Sequence, residues 1–103
     1  MSVEYRPSHF GICVTDIEAS MRFYCEGLGF ETGDGYDLDT TMLPGLGKSL
    51  EIAGTVVVRS QMIKRDGMVI ELLAYREPTP VGVPSVSRGA LGLTHLSFYV
   101  ADL

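Results

Sequence analysis

The chain has 103 residues and a net charge of −5, which is enough sequence for one small domain with a modest core. Its longest basic run is the pair Lys64-Arg65, so we expect no nucleic-acid partner. No apolar stretch approaches the roughly 18 residues that a membrane span needs, and no secretory signal is apparent, so we expect no membrane association. With only two cysteines, Cys13 and Cys25, we expect reduced thiols in a cytoplasmic protein.

The first predicted elements are a strand over residues 8–15 and a helix that follows it directly. Alternate residues of the strand, including His9, share one face, and the opposite face is wholly apolar and should pack against the helix. Asp16 is a favourable N-cap, Glu18 complements the dipole of the first turn, and Gly27 is a typical stop. This segment therefore predicts a β–α unit.

The stretch after the helix has a weaker pattern. Residues 28–32 predict the start of a second strand, and residues 33–54 predict a long loop with a possible short helix over residues 41–46. Loops of this length within small domains are often lids or binding loops, and the alternative is a simple surface loop.

The second half of the chain predicts a hairpin, a connector and a last strand. Residues 55–63 and 68–75 are rich in aliphatic side chains, and Asp66-Gly67 between them is a strong turn signal. Residues 76–92 are rich in proline and glycine and predict a connector, and residues 94–101 alternate as a strand does. The element order is βαβββ followed by one further strand.

An internal repeat explains this order. The nine residues from His9 recur from His95, with histidine, valine and aspartate identical at the first, sixth and eighth positions; Ser8 and Thr94 precede the two histidines. Repeats of this kind indicate repeated structural units. We therefore predict an α+β fold in which residues 1–85 form a βαβββ module and residues 86–103 form a connector and the first strand of a second module.

The last predicted strand leaves an apolar face without a helix to cover it. Leu96, Phe98 and Val100 form this face, and the repeat reaches only Asp102-Leu103, where a second helix would begin. We expect that the native protein continues into the rest of the second module. The alternative is that a partner chain covers the face, for example in a homodimer.

Three polar residues stand where the pattern favours apolar or neutral ones. Glu71 lies inside an aliphatic strand, where a carboxylate is costly to bury unless it is paired or bound to a metal. His9 and His95 each open a strand. Two histidines and one carboxylate on corresponding faces match a divalent metal site with open positions. The alternatives are structural histidines and an edge-strand carboxylate that faces water.

These residues, together with Phe23-Tyr24 and Leu28-Gly29-Phe30, resemble the vicinal oxygen chelate superfamily. That group includes glyoxalase I, methylmalonyl-CoA epimerase, extradiol dioxygenases and the bleomycin and fosfomycin resistance proteins. The resemblance implies a glyoxalase-like fold with a cupped mixed sheet, a helix on its convex face and a divalent metal on its concave face. It implies His9, Glu71 and His95 as metal ligands, with a fourth ligand outside this chain and Ni, Co, Zn, Mn or Fe as the metal.

The resemblance also implies a pocket and a chemistry. A lyase or isomerase of the glyoxalase type would bind two adjacent oxygens of a small metabolite at the metal and stabilise an enolate-type intermediate, with Glu71 as a candidate catalytic base. Two alternatives stay open, a non-catalytic ligand-sequestering protein of the bleomycin-resistance type and an extradiol ring-cleaving dioxygenase. The implied pocket residues are Cys13, Val69, Leu73, Tyr75, Ser97 and Tyr99.

One departure from the family pattern bears on the substrate. Cys13 stands where glutathione-dependent glyoxalases usually carry an arginine that holds the glutathione carboxylate. A thiol cannot make that ion pair. We therefore expect a compact carbonyl compound or aromatic diol as the small-molecule substrate, rather than a glutathione hemithioacetal.

Overall fold

The fold, described over residues 3–102 by a computed structural model, is a four-stranded mixed sheet with helices. The strand order is β1-β4-β3-β2; β1 pairs in parallel with β4, and the other two pairings are antiparallel. This confirms the α+β class and the predicted βαβββ order. The elements are β1 (Phe10–Cys13), α1 (Ile17–Met21) with a π-helical continuation (Arg22–Gly27), β2 (Glu31–Asp39), α2 (Leu46–Leu50), β3 (Val57–Arg65) and β4 (Met68–Glu77).

The β–α unit at the start of the chain forms as predicted. The Asp16 carboxylate accepts a hydrogen bond from the Ala19 amide at 3.0 Å, so Asp16 is the N-cap of α1. The helical segment ends at Gly27. Its apolar side packs on the sheet through Ile17 and Met21, which contact the buried cluster. Among residues 3–102, no helix is long and apolar enough to cross a bilayer.

The hydrophobic core lies between the sheet and this helix. Four side chains form it, each no more than 5% exposed: Phe30, Ile63, Ile70 and Leu72. Ile70 and Leu72 alternate in β4 with Glu71, so the same alternation that buries them directs Glu71 to the opposite, open face of the sheet. The hairpin turn is the predicted Asp66-Gly67, and both residues have positive φ.

The predicted loop over residues 33–54 is wrong in its first third. β2 continues to Asp39, with a bulge between Thr32 and Gly35 that interrupts the alternation of side chains. A strand without regular alternation carries no period-two signal, which explains the error. The short helix predicted over residues 41–46 forms instead as α2, after Pro44 and Gly45.

The predicted strand over residues 94–101 is not formed. Residues 93–100 have no regular secondary structure, although Leu96 packs against the core and the Phe98 ring meets Phe30 edge to face, with 6.1 Å between centroids. These contacts hold the segment against the core and the helical segment, and it forms no backbone ladder with the edge strand β1 although the two line one cavity. The last position of the repeat, Leu103, and the first residues of the predicted module, Met1 and Ser2, lie outside the described residues.

Candidate functional site

His9 and Glu71 meet on the open face of the sheet. The parallel pairing of β1 with β4 sets Gly11 beside Glu71, so His9, which immediately precedes β1, extends along the same face. The His9 Nε2 atom lies 3.3 Å from Glu71 Oε1, and the two side chains are 37% and 25% exposed. The structure thus brings these two residues together on a face where solvent or a ligand can reach both.

Each member of this pair has a second polar contact. The Ser8 hydroxyl lies 2.7 Å from His9 Nδ1, and the buried Ser60 hydroxyl donates to Glu71 Oε2 at 2.6 Å. The imidazole and the carboxylate are thereby oriented so that Nε2 and Oε1 face each other. Hydrogen bonds of this kind, made to the far side of a ligating group, are typical of metal and catalytic sites.

Ser60 is a site residue that the sequence reasoning missed. It is only 3% exposed and lies in β3 between Val58 and Met62 on the face that carries Glu71. A hydroxyl inside a valine-rich strand is the same kind of signal that identified Glu71. Reading β3 for polar residues at alternating positions would have found it.

Strand β2 forms one side of the pocket around the His9–Glu71 pair. Asp34 and Tyr36 belong to this strand, within the segment that the sequence predicted as a loop, and so were missed as well. The open pocket is lined by His9, Asp34, Tyr36, Leu38, Ser60, Met62 and Glu71.

Four of the predicted pocket residues share the face of Glu71 without lining this pocket. Val69, Leu73 and Tyr75 alternate with the core residues of β4, and Cys13 is the register neighbour of Leu73. Burial raises the pKa of the Tyr75 phenol, and the charges of Cys13 and Glu71 add to the effect. These side chains extend the open face beyond the pocket, along β1 and β4.

The other two predicted pocket residues, Ser97 and Tyr99, lie elsewhere. Both line a separate depression beside Phe30 and Met68, and Tyr99 is fully exposed. Their predicted positions depended on a strand over residues 94–101, which does not form. The prediction that they line one pocket with Glu71 is therefore not met in this structure.

His95 does not join His9 and Glu71. It lines a cavity on the helix side, beside Phe10 and Tyr24, and its Nδ1 atom lies 2.7 Å from the Thr94 hydroxyl. Within residues 3–102 no group of three or more histidine, cysteine, aspartate or glutamate side chains is arranged to hold a metal. The predicted convergence of three ligands is thus reduced to a pair, because His95 lies in a cavity between β1 and the helical segment and not beside Glu71.

The His9–Glu71 pair fits two positions of a divalent metal site. Two donors that are each about 2.1 Å from one ion, at angles of about 90–110°, lie about 3.0–3.4 Å apart. The Nε2–Oε1 separation of 3.3 Å falls in this range. Imidazole nitrogen and carboxylate oxygen are also suitable donors for the first-row divalent metals. The pair alone leaves the remaining positions to other ligands or to substrate.

Comparison with models of known families places the chain in a family with this fold. The family model described as Glyoxalase/Bleomycin resistance protein/Dioxygenase superfamily matches residues 6–103. Comparisons with curated proteins and with solved structures gave no match. The match covers almost the whole chain, including both histidine segments. The chain therefore belongs to the glyoxalase/bleomycin resistance protein/dioxygenase superfamily, which is the vicinal oxygen chelate superfamily.

Proposed function

We propose that this protein is a metal-dependent lyase or isomerase of the glyoxalase type that acts on a small oxygenated metabolite. The observation that carries the proposal is the 3.3 Å approach of His9 Nε2 to Glu71 Oε1 on an accessible sheet face. Membership in a superfamily that commonly uses divalent metals supports it. The bound ion would act as a Lewis acid for two adjacent oxygens of the substrate.

The pocket residues would bind the metal, orient its ligands, accept a proton and exclude water. His9 and Glu71 would hold the metal, and Ser60 would keep the Glu71 carboxylate turned toward His9 through its hydrogen bond to Oε2. Glu71 is also placed to accept a proton from a carbon next to a carbonyl, because its carboxylate lies in the pocket beside His9. Leu38 and Met62 would exclude water from one wall of the pocket.

The second candidate is a non-catalytic ligand-sequestering protein of the bleomycin-resistance type. Its support is that His95 lies apart from the pair, which leaves two metal donors together rather than three. The third candidate, an extradiol dioxygenase, needs two histidines and one carboxylate on one iron or manganese ion. The dioxygenase would therefore need His95 to reach the pair by a rearrangement of the segment from residue 93 to residue 100.

The test is to identify the metal that co-purifies with the protein and to titrate the metal-free protein with Co²⁺ by absorption spectroscopy. Nickel, cobalt or zinc would support the lyase or isomerase, iron or manganese the dioxygenase, and no metal the sequestering protein. We expect His9→Ala and Glu71→Gln each to weaken Co²⁺ binding by about tenfold or more. Glu77→Gln, at the exposed end of the same strand, is the matched control and should bind as the wild type does. Equal affinities in all four proteins would refute the metal site.

A second measurement addresses the substrate. We propose a compact carbonyl compound or aromatic diol, because Cys13 cannot hold a glutathione carboxylate. The metal-loaded protein should therefore turn over methylglyoxal plus glutathione with a kcat/KM well below the usual enzyme range of about 10⁴ M⁻¹s⁻¹. A value in that range would overturn this part of the proposal.

We also propose a cellular location and an oligomeric state. The free thiols Cys13 and Cys25 support a cytoplasmic location, and a homodimer is the oligomeric state that we propose.

A further inference from the structure

The pocket around His9 and Glu71 has an unusual charge balance. Its lining includes two carboxylates, Asp34 and Glu71, and no lysine or arginine. Lys64 shares the face of Met62 two positions further along β3, but it lies directly opposite Glu31 in the β2–β3 register, outside the lining. The fixed charges of the lining are therefore negative.

Asp34 owes its position to a bulge in β2. The Gln61 side-chain amide donates to the carbonyl oxygens of Gly33 at 3.0 Å and Asp34 at 3.3 Å, which ties the extra residue of the bulge to β3. A Cβ atom at Gly35 would meet the ends of the Gln61 and Arg59 side chains, which would have to shift to admit it. Bulges often re-aim a side chain next to a functional site. Here the bulge is followed by the alternation that brings Tyr36 and Leu38 into the lining together with Asp34.

A second aspartate of β2 shows the contrast. Asp37, three residues later, lies on the helix-side face and pairs with Arg59, whose Nη1 atom is 3.1 Å from Asp37 Oδ2. Within residues 3–102, no basic side chain pairs with Asp34. Strand β2 thus carries Asp37, which is paired with an arginine, on the face away from the pocket, and Asp34, which has no basic partner among the described residues, in the pocket lining.

We propose that Asp34 selects the ligand by charge: the pocket accepts a compact vicinal-dioxygen compound that is neutral or carries an ammonium group, and discriminates against one that carries an additional carboxylate or phosphate. The vicinal oxygens rest on the proposed function; the charge preference rests on the lining itself. Two carboxylates offset the two charges of a divalent ion, so no positive charge is left over for another anion. Tyr36, Leu38 and Met62 supply the apolar surface for the carbon skeleton.

The experiment uses three probes that share an aromatic diol and differ in charge: catechol, dopamine and 3,4-dihydroxybenzoate. Their affinities are measured by NMR titration of the full chain, metal-free and Zn²⁺-loaded, following the backbone amides of Asp34 and Glu71. We expect dopamine to bind tightest and 3,4-dihydroxybenzoate weakest, with a step of about fivefold for each charge. Asp34→Asn, which preserves side-chain size and the backbone carbonyl of the bulge, should reduce the dopamine-to-dihydroxybenzoate ratio about fivefold.

Asp37→Asn is the matched control, because it removes the same charge from the same strand on the other face of the sheet. It should change the ratio by less than about twofold. A ratio near one in the wild type, or equal changes in the two variants, would overturn the proposal, as would the absence of any probe-dependent shift at the pocket. If the metal does not bind but the probes still rank by charge, the proposed function fails and the charge selection stands. If the metal binds and the affinities of the probes do not follow their charge, the charge selection fails and the metal site stands.

Discussion

The two copies of the histidine segment have similar residues and different surroundings. In both, a hydroxyl group lies 2.7 Å from the histidine Nδ1 atom, from Ser8 in the first copy and from Thr94 in the second. The first copy forms β1 and the cap of α1, whereas the second has no regular secondary structure. Of the two histidines, His9 alone forms an ion pair with a carboxylate among residues 3–102. The hydroxyl–histidine contact thus depends only on the preceding residue, whereas the His9–Glu71 site depends on the pairing of β1 with β4.

The largest expected difference between the copies concerns stability. Ile12 and Phe98 are equivalent positions of the repeat; Ile12 lies in β1 against the core, and Phe98 is 42% exposed. Ile12→Ala should lower the free energy of unfolding by about 2 kcal/mol, since it removes packed methyl groups and leaves a cavity. Phe98→Ala should cost about 1 kcal/mol or less, mainly from the lost contact with Phe30. Urea denaturation of both variants measures the difference, and equal losses would show that the second copy is as firmly packed as the first.

The prediction of the first copy from sequence succeeded because each local signal agreed with its tertiary partner. Asp16 had a helix to cap, the apolar face of β1 had that helix to cover it, and Glu71 stood out in an otherwise aliphatic β4. The second copy carries the same local signals, but the side chains of Leu96 and Phe98 find the core from the helix side. A sequence pattern specifies which residues alternate, and it does not specify which sheet edge they reach.

The β2 side chains of the site could not be predicted from the sequence, for a different reason. Asp34 and Tyr36 belong to a strand whose bulge breaks the alternation, and Gln61, 27 residues from Asp34 along the chain, holds that bulge. No local sequence pattern predicts a bulge, so the segment that carries these two side chains was predicted as a loop. Their contribution to the pocket needed the register of β2 against β3.

The hydroxyl groups offer the next test of the comparison. Ser60→Ala removes the donor to Glu71 Oε2 and should weaken divalent-metal binding about tenfold, because the carboxylate loses the contact that orients it. Thr94→Val removes the hydroxyl beside His95 and should change the affinity less than about twofold, because His95 is not at the pair. Isothermal titration calorimetry with Zn²⁺ measures both. A larger effect of Thr94→Val would mean that His95 is a ligand in solution.

The equivalent aspartates differ in their helical partners. Asp16→Ala should destabilise the protein by about 1 kcal/mol, since the Ala19 amide loses its side-chain acceptor at the start of α1. Asp102→Ala should stay within about 0.5 kcal/mol of the wild type, because Asp102 is exposed and caps no helix among the described residues. Thermal unfolding followed by circular dichroism gives both values. Similar losses for the two variants would indicate that the second aspartate also caps a helix.

The smallest expected effect concerns two tyrosines that the sequence assigned to one pocket. The pKa of Tyr75 is raised above 10.0 by burial, with further contributions from the charges of Cys13 and Glu71, so the folded state holds this proton more tightly than the unfolded state does. Its contribution to stability is full below pH 10 and is lost as the pH rises from there through the folded-state pKa. Tyr75→Phe should therefore flatten the fall in stability above pH 10, as measured by urea unfolding across that range. Tyr99→Phe, at a fully exposed position, is the matched control and should retain the wild-type slope. If Tyr99→Phe flattens the slope and Tyr75→Phe does not, the second copy, rather than β4, holds the buried phenol.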